Sequence, residues 1–72
     1  MSEENIYFCK VAEIQFEYPE LRVGQAFYNV AYELYNNKML CAQKDCDCFY
    51  VDANIRNLLN YLFGGYDETN NA

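Results

Sequence analysis

The stretch KDCDCFYVD, residues 44–52, gathers two cysteines, three aspartates and two aromatic residues into nine positions. Thiols and carboxylates this close together are the raw material of a metal site, a redox pair or a capped turn. Structural zinc sites pair cysteines separated by about two to four residues and close with a second pair or with histidine. Here one residue separates Cys46 from Cys48, Cys41 lies five positions before Cys46, Cys9 is far upstream, and the chain has no histidine. A four-thiolate zinc staple from Cys9, Cys41, Cys46 and Cys48 therefore stands as an alternative, against thiols that fill space as small hydrophobes. A redox pair is disfavoured, because the surrounding acids raise a thiol's pKa and lower its thiolate fraction. Asp45, Asp47 and Asp52 are hard ligands, but the alternating acids, central glycine and closing glutamate of a calcium loop are missing. The reading that remains is an elbow between helices. In it Asp52 caps the last helix, Asp47 caps a turn or pairs with Arg22, and Phe49 and Tyr50 pin the elbow to the core.

Chemistry elsewhere is sparse. Without histidine, Cys-His and Ser-His nucleophile pairs are excluded, and Ser2, the single serine, sits at the terminus. The paired acids Glu3-Glu4 and Asp67-Glu68 lie at the ends of the chain, where solvated charge is the ordinary explanation. RVGQAF carries one glycine and makes no phosphate cradle; a glycine inside a helix more often permits close packing. The expectation is a protein that is not an enzyme and binds no cofactor.

Composition sets further bounds. A chain of 72 residues is one small domain and buries only about 60 % of its unfolded surface. Eight tyrosines and five phenylalanines supply much of the apolar bulk. Eleven acids against five bases give a net charge of −6, and Lys10, Arg22, Lys38, Lys44 and Arg56 are scattered. That pattern disfavours direct nucleic-acid binding, which needs clustered bases. It suits both solubility and a basic protein partner. No run approaches the ~20 apolar residues of a membrane span. The opening MSEENIYFCK is acidic where a signal peptide is basic. The expected location is the cytoplasm, where thiols stay reduced.

Three helices must position these residues. In the last, Ile55, Leu58, Leu59, Leu62 and Phe63 form one apolar row, Asn57 and Tyr61 face away, and Gly64-Gly65 supply the stop. The segment PELRVGQAFYNVAYELYNN predicts a helix opening at Pro19-Glu20 and ending at Asn36-Asn37. Its core row is Val23, Phe27, Val30, Ala31 and Leu34. Leu21, Tyr28, Tyr32 and Tyr35 form a second row beside it, leaving Arg22, Gln25, Asn29, Glu33 and Asn36 as the polar face. An arc this wide belongs to a central helix or to a binding face. In EENIYFCKVAEIQFEY, Tyr7, Val11, Ile14 and Tyr18 have helical spacing, with Phe8 and Ala12 adjoining. EIQFEY alternates like a strand, but a lone strand would have no partner. KMLCAQ predicts one more helical turn. The expected fold is all-α, a small antiparallel bundle of three main helices plus one short helical turn. Residues 1–63 form the domain and 64–72 a flexible acidic tail.

Tyr18 to Asn29 read YPELRVGQAFYN, and residues 47–52 read DCFYVD. The chain resembles a group of small bacterial and phage proteins with a Y-P-E-x-R-x-G-Q-A-F-x-N helix and a D-x-F-Y-x-D turn. The resemblance covers residues 18–63. It implies an all-helical protein of phage or mobile-element origin and transfers no site. The cysteines of the elbow depart from it, so a metal role would be peculiar to this chain.

Two functional readings stand beside the zinc-stapled domain. The first is a small acidic interaction module that binds a protein partner through Leu21, Tyr28, Tyr32, Tyr35 and Tyr61, since tyrosine is enriched at binding hot spots. On the resemblance, a specific form is an inhibitor of host defence machinery, anti-CRISPR-like. The other is a homodimer whose second copy completes a thin core. A plain core role for the tyrosines competes with both.

Overall fold

The computed structural model describes residues 2–64. It is all-α, with no strand among the described residues. Helix α1 spans Glu3–Glu17, α2 Val23–Leu34, α3 Asn36–Leu40 and α4 Ile55–Phe63. Two single 3-10 turns, Lys44–Cys46 and Asp52–Asn54, shape the elbow between α3 and α4. The three longer helices are the three expected, and α3 is the short fourth. No described helix is long and apolar enough to cross a membrane. The expected tail falls outside the described residues except for Gly64, as does Gly65 of the expected stop.

Local sequence explains most boundaries. Ser2 caps α1 by accepting the Asn5 N–H at 3.2 Å, and Glu3 and Glu4 in the first turn complement the positive helix end. Gly64 closes α4 with φ of 73°, and its N–H bonds the Asn60 carbonyl at 2.8 Å.

Two boundaries differ from expectation. Helix α2 starts at Val23, four residues after Pro19. Pro19 and Glu20 form a turn closed by Leu21 N–H to the Tyr18 carbonyl at 3.0 Å. Arg22 is extended, and its N–H is taken by the Gln25 side chain at 2.9 Å, half of a capping box. At the other end the chain breaks at Tyr35, with φ −131° and ψ 47°. Asn36 then opens α3 rather than closing α2.

The core is knitted by Tyr7. Its ring, fully buried, lies 5.8 Å from Phe27, 6.2 Å from Tyr35 and 5.5 Å from Phe63, joining α1, α2 and α4. Its hydroxyl donates to the Phe27 carbonyl at 2.6 Å, so the polar end is satisfied inside. Removing such a ring costs roughly 3–5 kcal/mol. Val11, Ala26, Val30, Ala31, Met39, Leu58, Leu59 and Leu62 fill the surroundings. Val23, expected in the core row, is 40 % exposed. The α2 start is held instead by Gly24, which lets the elbow approach, and by the buried Ala26.

Candidate functional site

The elbow is a knot of short hydrogen-bonded turns. Asp47 accepts the Phe49 N–H at 3.0 Å, an Asx turn of the kind its sequence position favours. Asn54 donates to the Asp47 carbonyl at 2.9 Å and Asn57 to the Asp45 carbonyl at 3.0 Å, tying the loop to the start of α4. Asp52 does not cap α4. It opens the second 3-10 turn, the cap position falls to Asn54, and the Asp52 carboxylate faces Arg22 Nε at 3.5 Å. Arg22 also donates to the Phe49 carbonyl. The long guanidinium reaches from the α2 start across the elbow, so it draws Asp52, while Asp47 keeps to its own turn.

The cysteines do not converge. Cys48 is fully buried and its Sγ donates to the Gly24 carbonyl at 3.2 Å, whereas Cys46 Sγ points to the Asn57 carbonyl at 3.8 Å. Cys9 and Cys41 are exposed on α1 and after α3. Among the described residues no three Cys, Asp or Glu side chains are grouped to hold a metal ion. Burial, then the Asp47 and Asp52 carboxylates, push the Cys48 thiol up to about 12. Burial, then Asp45, raise Cys46 as well. Both environments favour the neutral thiol, the form that is neither nucleophile nor ligand. The geometry makes these two thiols packing groups.

The tyrosines sort into two sets. Tyr35 is half-buried, 5.8 Å from Phe63 and packed on Tyr7, and Leu21 is half-buried in the turn before α2. Tyr61 lies on α4, where its hydroxyl donates to the Lys38 carbonyl at 2.7 Å. Among the described residues no ring contact joins Tyr35 or Tyr61 to Tyr28 or Tyr32. Tyr28 and Tyr32 are half-buried, with ring centroids 5.2 Å apart. From Tyr28 the ring contacts continue to Phe49 at 5.8 Å and from Phe49 to Tyr50 at 4.9 Å. Tyr50 is 77 % exposed. It projects outward instead of pinning the elbow; the elbow residues in the core are Cys46 and Cys48, and Phe49 rests on the Tyr28 ring.

The result is a continuous aromatic run from α2 onto the elbow. Tyr28 and Tyr32 also border a groove of about 240 Å3 whose walls include Met39, Leu40, Ala42 and Asp47. Leu40, at its rim, is 69 % exposed. Burial, then the bond to Tyr32, hold the Tyr28 hydroxyl protonated up to about 12. Tyr28 is thus uncharged at neutral pH, and the run carries hydroxyl groups along an apolar surface, a combination suited to protein contacts.

Two outward rings depart from the sequence pattern: Tyr50, expected against the core, and Phe16, assigned no role. Tyr50 gives no periodic signal, because it sits in a turn. Phe16 did give one: nine residues after Tyr7, at about 100° per residue, it falls on the side of α1 opposite the core row. It is 88 % exposed.

Compared with known proteins, the chain matches no family model, no curated protein and no solved structure. The resemblance to small phage and bacterial proteins therefore rests on its motif residues alone.

Proposed function

We propose that this protein is a non-catalytic interaction module that docks a protein partner through Tyr28, Tyr32, Phe49 and Tyr50. One observation carries the reading: an unbroken run of ring contacts ends in a tyrosine 77 % open to solvent, beside a groove with an exposed leucine at its rim. Large exposed apolar surface on a small monomer is costly to solubility unless something covers it. Tyrosine anchors paired with a pocket are the common make-up of binding hot spots. The buried, neutral thiols and the dispersed carboxylates favour a binding role over a chemical one. The YPELRVGQAFYN and DCFYVD motifs add a finer proposal, that the partner is a host defence protein which this chain inhibits.

The test is capture of partners from host lysate by the tagged protein, quantified by mass spectrometry, with Tyr50→Ala and Tyr28→Ala/Tyr32→Ala alongside. A stoichiometric partner lost with Tyr50→Ala, while circular dichroism stays unchanged, supports the reading. Tyr50 is the sharper probe because its ring contributes little to the core. A partner retained by both variants defeats it. A dimer in light scattering that Tyr50→Ala dissociates would transfer the same face to self-association.

A further inference from the structure

Helix α1 carries apolar side chains on two opposite faces. Tyr7, Val11 and Ile14 turn inward, while Cys9, Ala12 and Phe16, at i, i+3 and i+7, are exposed. Ala12, Glu13, Phe16 and Glu17 bound a shallow concavity of about 450 Å3. No residue of this face belongs to the aromatic run, so the two surfaces stand or fall separately.

Charge decides what fits there. Glu13 and Glu17 are exposed on the flank of Phe16. Lys10 is the single base of α1, and its ammonium is taken by Glu33 at 2.9 Å. It also feels Glu13 and Glu17, but only as secondary neighbours of that bond. The face is thus an apolar centre with an acidic margin on a chain of net charge −6. A second copy would bring its own acids against these ones, and an anionic bilayer or a nucleic acid would be repelled. We infer that the outer face of α1 docks a cationic amphipathic helix of a partner protein, its apolar row over Phe16 and Ala12 and its Lys or Arg side chains on Glu13 and Glu17. Helix-on-helix recognition of this kind reads anchors at one-turn and two-turn spacing, with charge at the margin setting orientation and rate.

The probe is a fluorescein-labelled synthetic peptide of about four helical turns, leucine on one face and lysine on the other, titrated with the protein by anisotropy. Phe16→Ala should weaken binding at least about tenfold, the loss expected of an anchor residue. Glu13→Gln/Glu17→Gln should weaken it several-fold and flatten its salt dependence. Glu3→Gln/Asp45→Asn, which removes the same charge elsewhere, should leave it unchanged, and so should Tyr50→Ala. Phe16 is so exposed that its loss should not disturb the circular dichroism spectrum, which is recorded for each variant. Absence of peptide binding overturns the inference. So does binding indifferent to Phe16→Ala, equal losses in the two charge variants, or a dimer that Phe16→Ala dissociates. Loss with Tyr50→Ala in place of Phe16→Ala would put the peptide on the aromatic run and overturn the α1 site while leaving that run standing.

Discussion

Gly24 has no room for a side chain. A Cβ there would overlap the Cys48 carbonyl oxygen and the Asp52 carboxylate, and would stand 3.3 Å from the Asp52 Cα. Two of these three atoms are backbone of the elbow, which cannot swing aside as a flexible side chain can. Two effects oppose each other in Gly24→Ala. Helix propensity favours alanine by about 0.5–1 kcal/mol, while forcing packed backbone apart costs roughly 1–3 kcal/mol. With contacts this close the clash is the larger, so Gly24→Ala should lower stability in urea, by up to about 2.5 kcal/mol after that offset. A variant as stable as the parent would mean that the elbow does not pack on α2 as described. The same contact explains why Cys48 is a packing residue. Its thiol donates to the carbonyl of the residue whose missing side chain admits it.

At the scale of elements, α3 is too short to hold itself, since helix nucleation is unfavourable and only about one turn forms here. It is held by a reciprocal pair of bonds to α4. Tyr61 donates its hydroxyl to the Lys38 carbonyl at 2.7 Å, and Lys38 Nζ donates to the Leu62 carbonyl at 3.2 Å. The second bond satisfies a carbonyl left open in the last turn of α4 and places a cation at its negative end. Tyr61 thus serves α3 rather than the tyrosine patch. Tyr61→Phe keeps the ring and loses one bond of about 0.5–1 kcal/mol. The melting temperature should fall by roughly 2–8 °C for a domain of this size, and amide exchange across residues 36–41 should quicken. Unchanged exchange there would show that α3 is held by its apolar contacts, Met39 above all.

For the whole molecule, the core contains groups that must remain neutral. Tyr7 is held well above the ordinary phenol value of 10.0, by burial first and then by Cys48 and Tyr35. Cys48 moves from 9.0 to about 12, again chiefly through burial. Folded-state values raised above the unfolded ones mean that the fold binds these protons more tightly. The contribution of Cys48 is whole below pH 9 and is lost as pH climbs through about 12, while that of Tyr7 is whole below pH 10 and is still being lost beyond that point. The melting temperature should therefore be insensitive to these groups from pH 6 to 8 and fall steeply between about 9 and 12. Cys48→Ala should start lower but lose less over that interval. A flat profile to the alkaline limit would mean that both groups reach water.

Much of this architecture was legible in the chain, because helical periodicity and capping are local. The rows Tyr7-Val11-Ile14 and Leu58-Leu59-Leu62 declare their helices, although Tyr18, read into the first row, lies past the end of α1 and is exposed; an aspartate two residues before Phe49 suits the turn it makes. Pro19-Glu20 also reads as a helix start, yet the helix begins at Val23, because Gln25 captures the Arg22 N–H and Arg22 is drawn to the elbow. Which carboxylate Arg22 meets, which tyrosines share a surface and whether the four cysteines converge depend on segments about 20–30 residues apart folding onto one another, a cost in loop closure that no local pattern records. The sequence by itself determined the helices and their apolar rows. Only the tertiary structure decided which row is covered, because a row becomes core or surface according to what the rest of the chain lays against it.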